Sequence, residues 1–446
     1  MAFTPHTDQD RKGMLEAIGV SSAADLFSVI PQEIRDPEFE LPPPLSEMEV
    51  VGLLRGWADE NADLDRHPSF LGAGAYRHFV PAVVDHLLRR GEFHTAYTPY
   101  QPEASQGTLT AIYEYQTMIS RLTGMDVANA SVYEGGSAVA EAALMAARIT
   151  RRSRIVVASS VHPAYRQVLG TYLQGLDIPV HEVEWGADGR LDSLALGTAL
   201  EREPACLIVQ HPNFFGGLED VAAAAEAAHG AGALCVVVAD PIALGLFRSP
   251  GEDGADIVAG EGQSLGAGLN YGGPYLGYLA CRQEHVRQLP GRLVGMTADL
   301  EGKRGFVLTL QAREQHIRRE KATSNICTNQ SLVAVAATVY LAAMGKEGLR
   351  RVSELCYHKA HYAAEGIGSL PGFSIPFGPF FKEFVVRAPS PPEEINRFLW
   401  DRYGIVGGFD LSRAYPDMKR ALLLCVTEMN PRGEIDALVS ALAEMA

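Results

Sequence analysis

Two polar segments of the chain carry side chains suited to recognition chemistry. FHTAYTPYQPEASQG packs Tyr97, Tyr100, Gln101, Glu103, Ser105 and Gln106 into a short stretch beside Pro99 and Pro102, with neither a helical nor a strand period. Rigid polar-aromatic loops of this kind bind or catalyse more often than they pack, although a plain surface loop is the competing reading. REKATSNICTNQ offers Arg319, Thr323, Ser324, Asn325, Thr328 and Asn329 as hydrogen-bonding groups, against the alternative of a linker with a helix cap. In NASVYEGGSAVAEAALMAAR, Gly135, Gly136 and Ser137 stand immediately before an alanine-rich helix. Free amides at a helix start, the macrodipole and the Ser137 hydroxyl suit a phosphate, and a tight turn capped by Ser137 uses the same residues. Asp240 ends the apolar run LCVVVAD, where a carboxylate turned into the core would be badly solvated. It is expected to face a cleft, or to shape the turn before Pro241. His162 follows IVVASS in a loop and could stack on a ring, or be an ordinary loop histidine.

Positioning these groups requires a sheet. Ile155 to Ala158, Cys206 to Val209, Leu234 to Val238, Ile257 to Val258 and Tyr275 to Cys281 are unalternating apolar runs, the pattern of strands buried on both faces. The alanine-rich stretch from Glu219 to His229 fits a crossover helix between two of them. A parallel, doubly wound sheet is expected, with ligands at the carboxyl ends of its strands. Ahead of it, residues 1–45 read as a helical arm, and Ser46 with Glu49 as a capping box opening a new helix. After the sheet come a helix over Ser331 to Met344, a strand over Glu383 to Arg387 and a helix over Glu434 to Met445. The expected domains are an arm at 1–45, a large α/β domain at 46–328 and a small α+β domain at 329–446.

Composition narrows the function classes. Hydrophobic residues make up 47% and the formal charge is −16, so a run of phosphates has no basic patch to meet and nucleic acid is excluded as a partner. Asp8, Asp10, Glu16 and Asp25 interrupt the N-terminal region, which does not read as a signal peptide, and a membrane span is not expected. A cytoplasmic protein is expected. The six cysteines form no CxxC pair and no zinc spacing, so no metal is expected. Most read as core thiols, with Cys327 as the exception.

Arm, large α/β domain and small terminal domain together resemble the layout of fold-type I, aspartate-aminotransferase-like proteins that use pyridoxal phosphate. In that fold an acid at the place of Asp240 pairs with the pyridine nitrogen, and a lysine about two dozen residues further on forms the Schiff base. Gln263 stands at that place, and no lysine occurs between Lys12 and Lys303. An amide cannot replace an amine as nucleophile. The chain alone is therefore not expected to hold the cofactor covalently at the usual position.

GAGAYRHFVPAVVDHLLRRGEFHTAYTPYQPEASQG, LTGMDVANASVYEGGSAVAEA and REKATSNICTNQ are long and irregular, and they resemble the N-terminal half of the glycine cleavage system P-protein, which many bacteria make as a separate alpha subunit. The resemblance implies a heterotetramer of two alpha and two beta subunits, with pyridoxal phosphate covalently bound to a lysine of the beta subunit. It implies decarboxylation of glycine and transfer of the aminomethyl group to the lipoyl arm of H-protein. Tyr97, Tyr100, Gln101 and Glu103, with Thr323, Asn325 and Thr328, are then expected to reach across the interface into the beta subunit's site. Gly135, Gly136, Ser137, His162 and Asp240 become the remains of a degenerate pocket. Two rivals stay open: a non-catalytic structural or regulatory subunit, and a self-sufficient enzyme using Lys303 or Lys321.

Overall fold

The computed structural model describes residues 6–35, 37–326 and 328–446. By its internal contacts the chain separates into two units, Met1–Asp63 and Leu64–Ala446. The first contains the helices Asp8–Ile18 and Glu47–Asp59. Each starts at a reciprocal capping box: Thr7 with Asp10, and, as the sequence signature predicts, Ser46 with Glu49. Neither helix buries a side chain within the chain; Ile18, Leu54 and Trp57 are all exposed.

The second unit is built on seven strands: β1 (Val127–Ala128), β2 (Ile155–Ala158), β3 (Val180–Val183), β4 (Cys206–His211), β5 (Leu234–Ala239), β6 (Ile257–Glu261) and β7 (Gly277–Cys281). They lie in the order β1-β7-β6-β5-β4-β2-β3. From β2 to β6 the pairing is parallel, and the apolar runs are buried as their composition predicts. The helix between β4 and β5 spans Val221–Gly230 and begins at Asp220, whose carboxylate accepts from the Ala223 amide.

One expectation is corrected. The last strand, β7, runs antiparallel to β6. Its connection from β6 holds only the short 3-10 turn Asn270–Gly272, and without a crossover helix the chain can only double back. The sheet is therefore mixed at that edge. β3 escaped the sequence reading because VHEV at the other edge is largely exposed and has no apolar run to betray it. A hairpin of β8 (Leu293–Ala298) and β9 (Arg304–Thr309), also unforeseen, packs its Val294, Phe306 and Leu308 on Leu109 and Ile112 of the helix Gln106–Thr123.

The small sheet holds β10 (Glu383–Arg387), β11 (Phe409–Asp410) and β12 (Ala421–Cys425), all antiparallel and flanked by helices Pro392–Tyr403 and Arg432–Ala443. The helix expected over Ser331 to Met344 continues to Gly368 across a break at Gly345, where φ is +58°. Its first part packs Ala334 and Tyr340 into the large core, and its end packs Ala363 and Ile367 into the small one. This helix is long and apolar enough to cross a membrane, but its buried face belongs to these two cores, and membrane insertion is not indicated. Phe70 also joins the small core, its amide donating to the Val406 carbonyl and its carbonyl accepting from Cys425. The five described cysteines are buried free thiols, while Cys327 lies outside the described residues.

Candidate functional site

At the carboxyl ends of β2, β5 and β6 the fold brings together Gly135, Gly136, Ser137, His162, Asp240 and Gln263. What it does with them is fill the space between them. Glu134, one residue ahead of the glycines, caps the helix Gly135–Thr150 with its own carboxylate. Its oxygens accept from the Gly136 amide at 2.5 Å and the Ser137 amide at 2.9 Å, and also from the Ser137 hydroxyl. Glu261, at the end of β6, accepts from the Gly135 amide at 2.9 Å. The amides suited to a phosphate are thus satisfied by two carboxylates of the chain itself. Burial pushes the Glu261 carboxyl up to about 7, even though amides of Leu276, Gly135 and Gln263 pull it down. A glycine is needed at 135 because a Cβ there would stand 2.5 Å from the Tyr165 hydroxyl.

His162 takes the structural role. Its Nδ1 accepts from the Ala164 amide at 3.0 Å, capping the helix Pro163–Leu173, so Nε2 carries the proton and donates to the Ala73 carbonyl at 2.8 Å. The ring stacks on Tyr165 at 4.5 Å, and burial pushes its pKa down, which keeps it neutral. Gln263 is 1% exposed and stitches a distant loop to the sheet. Its amide oxygen accepts from the Tyr76 amide, and its nitrogen donates to the carbonyls of Tyr76 and Ala267.

Asp240 meets a cation that the sequence reading missed. Lys382, from the segment leading into β10, reaches the carboxyl end of β5 and sets Nζ 2.7 Å from Asp240 Oδ2. Nζ also lies 3.2 Å from His78 Nε2, and His78 Nδ1 lies 2.7 Å from Glu428 Oε2. Lysine has only donors, so His78 accepts at Nε2 and donates at Nδ1, giving a buried line Asp240–Lys382–His78–Glu428. Burial alone would lower the Lys382 pKa, but the Asp240 carboxylate raises it overall, so the amine stays an ammonium and is not a nucleophile. Burial pushes Glu428 up while His78 holds it down, to about 2. The ammonium sits 3.4 Å from the centre of the Tyr76 ring. The cavity left among Tyr76, His162, Tyr165, Asp240 and Glu261 is about 30 Å³, room for about one water. Pyridoxal phosphate does not fit this pocket. The signal for Lys382 in the sequence was faint: one charge pair, Lys382 and Glu383, in the otherwise apolar run GPFFKEFVV.

The two polar segments are arranged differently. Tyr97 is 79% exposed, and Gln101, Glu103, Asn325 and Thr328 are exposed as well. Thr323 is half-buried, its amide donating to the Arg313 carbonyl at 3.0 Å. Beneath them the fold supplies anchors. Gln106 pairs its amide with both the N–H and the carbonyl of Phe306 in β9, tying the first segment to the hairpin. Ser324 donates at 2.7 Å to Glu141, a carboxyl buried in the alanine-rich helix and pushed up in pKa by that burial. Arg292, immediately before β8 and not singled out in the sequence, reaches Tyr100 from the first segment and Asn329 from the second. Lys303 sits at the exposed turn of the β8–β9 hairpin and Lys321 is exposed.

The family model for the glycine cleavage system P-protein matches residues 1–442. The chain belongs to the glycine cleavage system P-protein family. Among curated P-protein relatives, one from Thermomicrobium roseum is 56% identical over 446 residues, covering 100% of this chain and 99% of that protein. One from Desulforamulus reducens is 52% identical and covered in full on both sides. Each bears the name probable glycine dehydrogenase (decarboxylating) subunit 1. A crystal structure of glycine decarboxylase (P-protein) in inhibitor-bound form superposes with a TM-score of 0.92 at 46% identity, over the whole of both chains. A sphingosine-1-phosphate lyase of Burkholderia pseudomallei and mouse CSAD share the fold at TM-scores of 0.67 and 0.69 and 15% identity. The fold is thus that of the fold-type I pyridoxal-phosphate enzymes, as the layout of the sequence predicts.

Proposed function

We propose that the chain is the alpha-type subunit of a glycine decarboxylase and works only with a second, lysine-bearing subunit. Pyridoxal phosphate is bound covalently on that partner and there supplies the electron sink for loss of the glycine carboxylate. The aminomethyl group then passes to the lipoyl arm of H-protein. The observation that carries this reading is a P-protein fold, matched end to end, whose own cofactor pocket is filled by its own side chains.

The task left to the chain is presentation. Tyr97, Tyr100, Gln101 and Glu103, with Thr323, Asn325 and Thr328, offer hydrogen-bonding groups to the partner's site, where they orient substrate or cofactor oxygens and hold water out. The exposed apolar side chains of Met1–Asp63, Phe27, Phe39, Leu41 and Trp57 among them, suit burial against another subunit. We read the assembly as two alpha and two beta subunits. The buried free thiols suit a reducing, cytoplasmic compartment.

The test has two stages. Purified chain mixed with excess pyridoxal phosphate and then borohydride should show no mass adduct; a stoichiometric adduct on Lys303 or Lys321 would establish a self-sufficient enzyme instead. Chain combined with the partner and lipoylated H-protein should release carbon dioxide from glycine. Full release by the partner without this chain would reduce it to a scaffold.

A further inference from the structure

Arg292 is 5% exposed, although it stands beside the exposed chemistry and not in the sheet core. Its two terminal guanidinium nitrogens each reach one of the two polar segments. Nη2 lies 3.4 Å from the Tyr100 hydroxyl, and the guanidinium carbon is 5.5 Å from the centre of the same ring. Nη1 lies 3.3 Å from Asn329 Oδ1. Asn329 is itself fixed, donating to Ser131 Oγ at 2.9 Å and to the Ala130 carbonyl at 3.2 Å. The Arg292 backbone closes the circuit, its carbonyl accepting from the Ala130 amide at 2.8 Å. Tyr100 remains half-exposed, with His316 edge-on at 6.0 Å.

We infer that Arg292 is a positioning residue for the glycine reaction: its planar fork holds Tyr100 and Asn329 at a fixed separation, so that both polar segments face the partner's site in one register. The inference rests on the shared-site reading above. Tyr100 and Asn329 are far apart in sequence, and each belongs to a loop with no ladder of its own to set its position. A rigid fork satisfies two acceptors at a defined angle, whereas a lysine at the same place supplies a point charge without that geometry. Burial under the tyrosine ring keeps water from competing for either contact.

The experiment uses the complete enzyme, this chain with its lysine-bearing partner and H-protein, and compares Arg292→Gln, Arg292→Lys, Tyr100→Phe and the double variant Arg292→Gln/Tyr100→Phe. Assembly is followed by light scattering, and turnover by carbon dioxide exchange with glycine. Arg292→Gln is expected to assemble and to lower kcat at least tenfold, with partial recovery on adding millimolar methylguanidinium but not sodium chloride of equal ionic strength. Arg292→Lys, which keeps the charge, is expected to assemble and to lose kcat as well, so a failure of the glutamine variant to assemble leaves a second reading. Because the arginine acts in part through the tyrosine, the loss in the double variant should be smaller than the product of the two single losses. Wild-type kcat in Arg292→Lys, or losses that multiply in the double variant, would overturn the inference. If Tyr100→Phe lowers turnover and Arg292→Gln does not, only the role of Arg292 fails; if Tyr100→Phe has no effect, the shared-site reading fails with it.

Discussion

Lys382 Nζ lies 2.7 Å from Asp240 Oδ2, so the acid that would meet a pyridine nitrogen in a working site of this fold is met instead by an ammonium from the chain's own C-terminal region. Lys382 is buried and Asp240 largely so, and removing one member leaves an uncompensated charge. Lys382→Met should therefore destabilise the isolated chain by about 3–5 kcal/mol, read as a lowered urea midpoint, and Lys382→Met/Asp240→Asn should recover most of that loss. A double variant as unstable as the single one would mean that the lysine acts by packing on Tyr76 and not by its charge.

Placing an amine at position 263 should not create a cofactor site. Gln263→Lys leaves Glu134 and Glu261 on the helix-start amides, Lys382 on Asp240, and a cavity of about 30 Å³. It also deletes the amide that holds Tyr76 and Ala267, at a cost of about 1–3 kcal/mol. Intact mass after pyridoxal phosphate and borohydride should show no adduct at position 263. One molar equivalent there would show that the pocket opens.

The contribution of Glu383 to stability should fall as the pH rises toward neutrality. Burial pushes the Glu383 carboxyl up to about 7, against partial relief from the Ala73 amide, the Tyr76 hydroxyl and Lys382. The folded chain therefore keeps a proton that the unfolded chain releases from about pH 4.5 upward. Its contribution is fully present in acid, is lost as the pH rises through about 7 and stays level above. Glu383→Gln, which carries no titrating proton, should flatten that slope by roughly 1–3 kcal/mol between pH 5 and 8 in urea titrations. An unchanged slope would assign the effect elsewhere, Glu261 being the other carboxyl at about 7.

For the presented surface, activity and stability should separate. Tyr97 and Asn325 are exposed, so Tyr97→Ala and Asn325→Ala should change the unfolding free energy of the chain by no more than about 0.5 kcal/mol. In the assembled enzyme each should lower turnover at least tenfold, about 1.4 kcal/mol in barrier. Turnover equal to wild type in both, with assembly intact, would favour the scaffold role.

A buried anchor under the same surface offers a further check. Ser324 donates to Glu141, whose carboxyl is 3% exposed. Glu141→Ala should leave the Ser324 hydroxyl without its acceptor, cost about 1–3 kcal/mol, and loosen the loop that carries Thr323 and Asn325. Faster amide exchange confined to that loop would confirm the link, and unchanged exchange would refute it.

Local chemistry wrote much of this protein into its sequence. The apolar runs of β2, β4, β5 and β6 announce buried parallel strands because only strands covered on both faces tolerate such runs, and Ser46 with Glu49 announces a helix start because the capping bonds are made within four residues. The absence of any lysine between Lys12 and Lys303 is equally plain, since a residue is either present or absent. The antiparallel return of β7, the hairpin of β8 and β9, and the identity of the groups that fill the pocket were decided only in three dimensions. Glu134 lies beside the glycines it caps, but Lys382 reaches Asp240 across 142 positions of sequence, and Arg292 reaches Tyr100 across 192. Contacts of that separation leave no periodicity and no spacing to read; they exist because tertiary packing carries Lys382 to the carboxyl end of β5 and brings two irregular segments over one buried guanidinium.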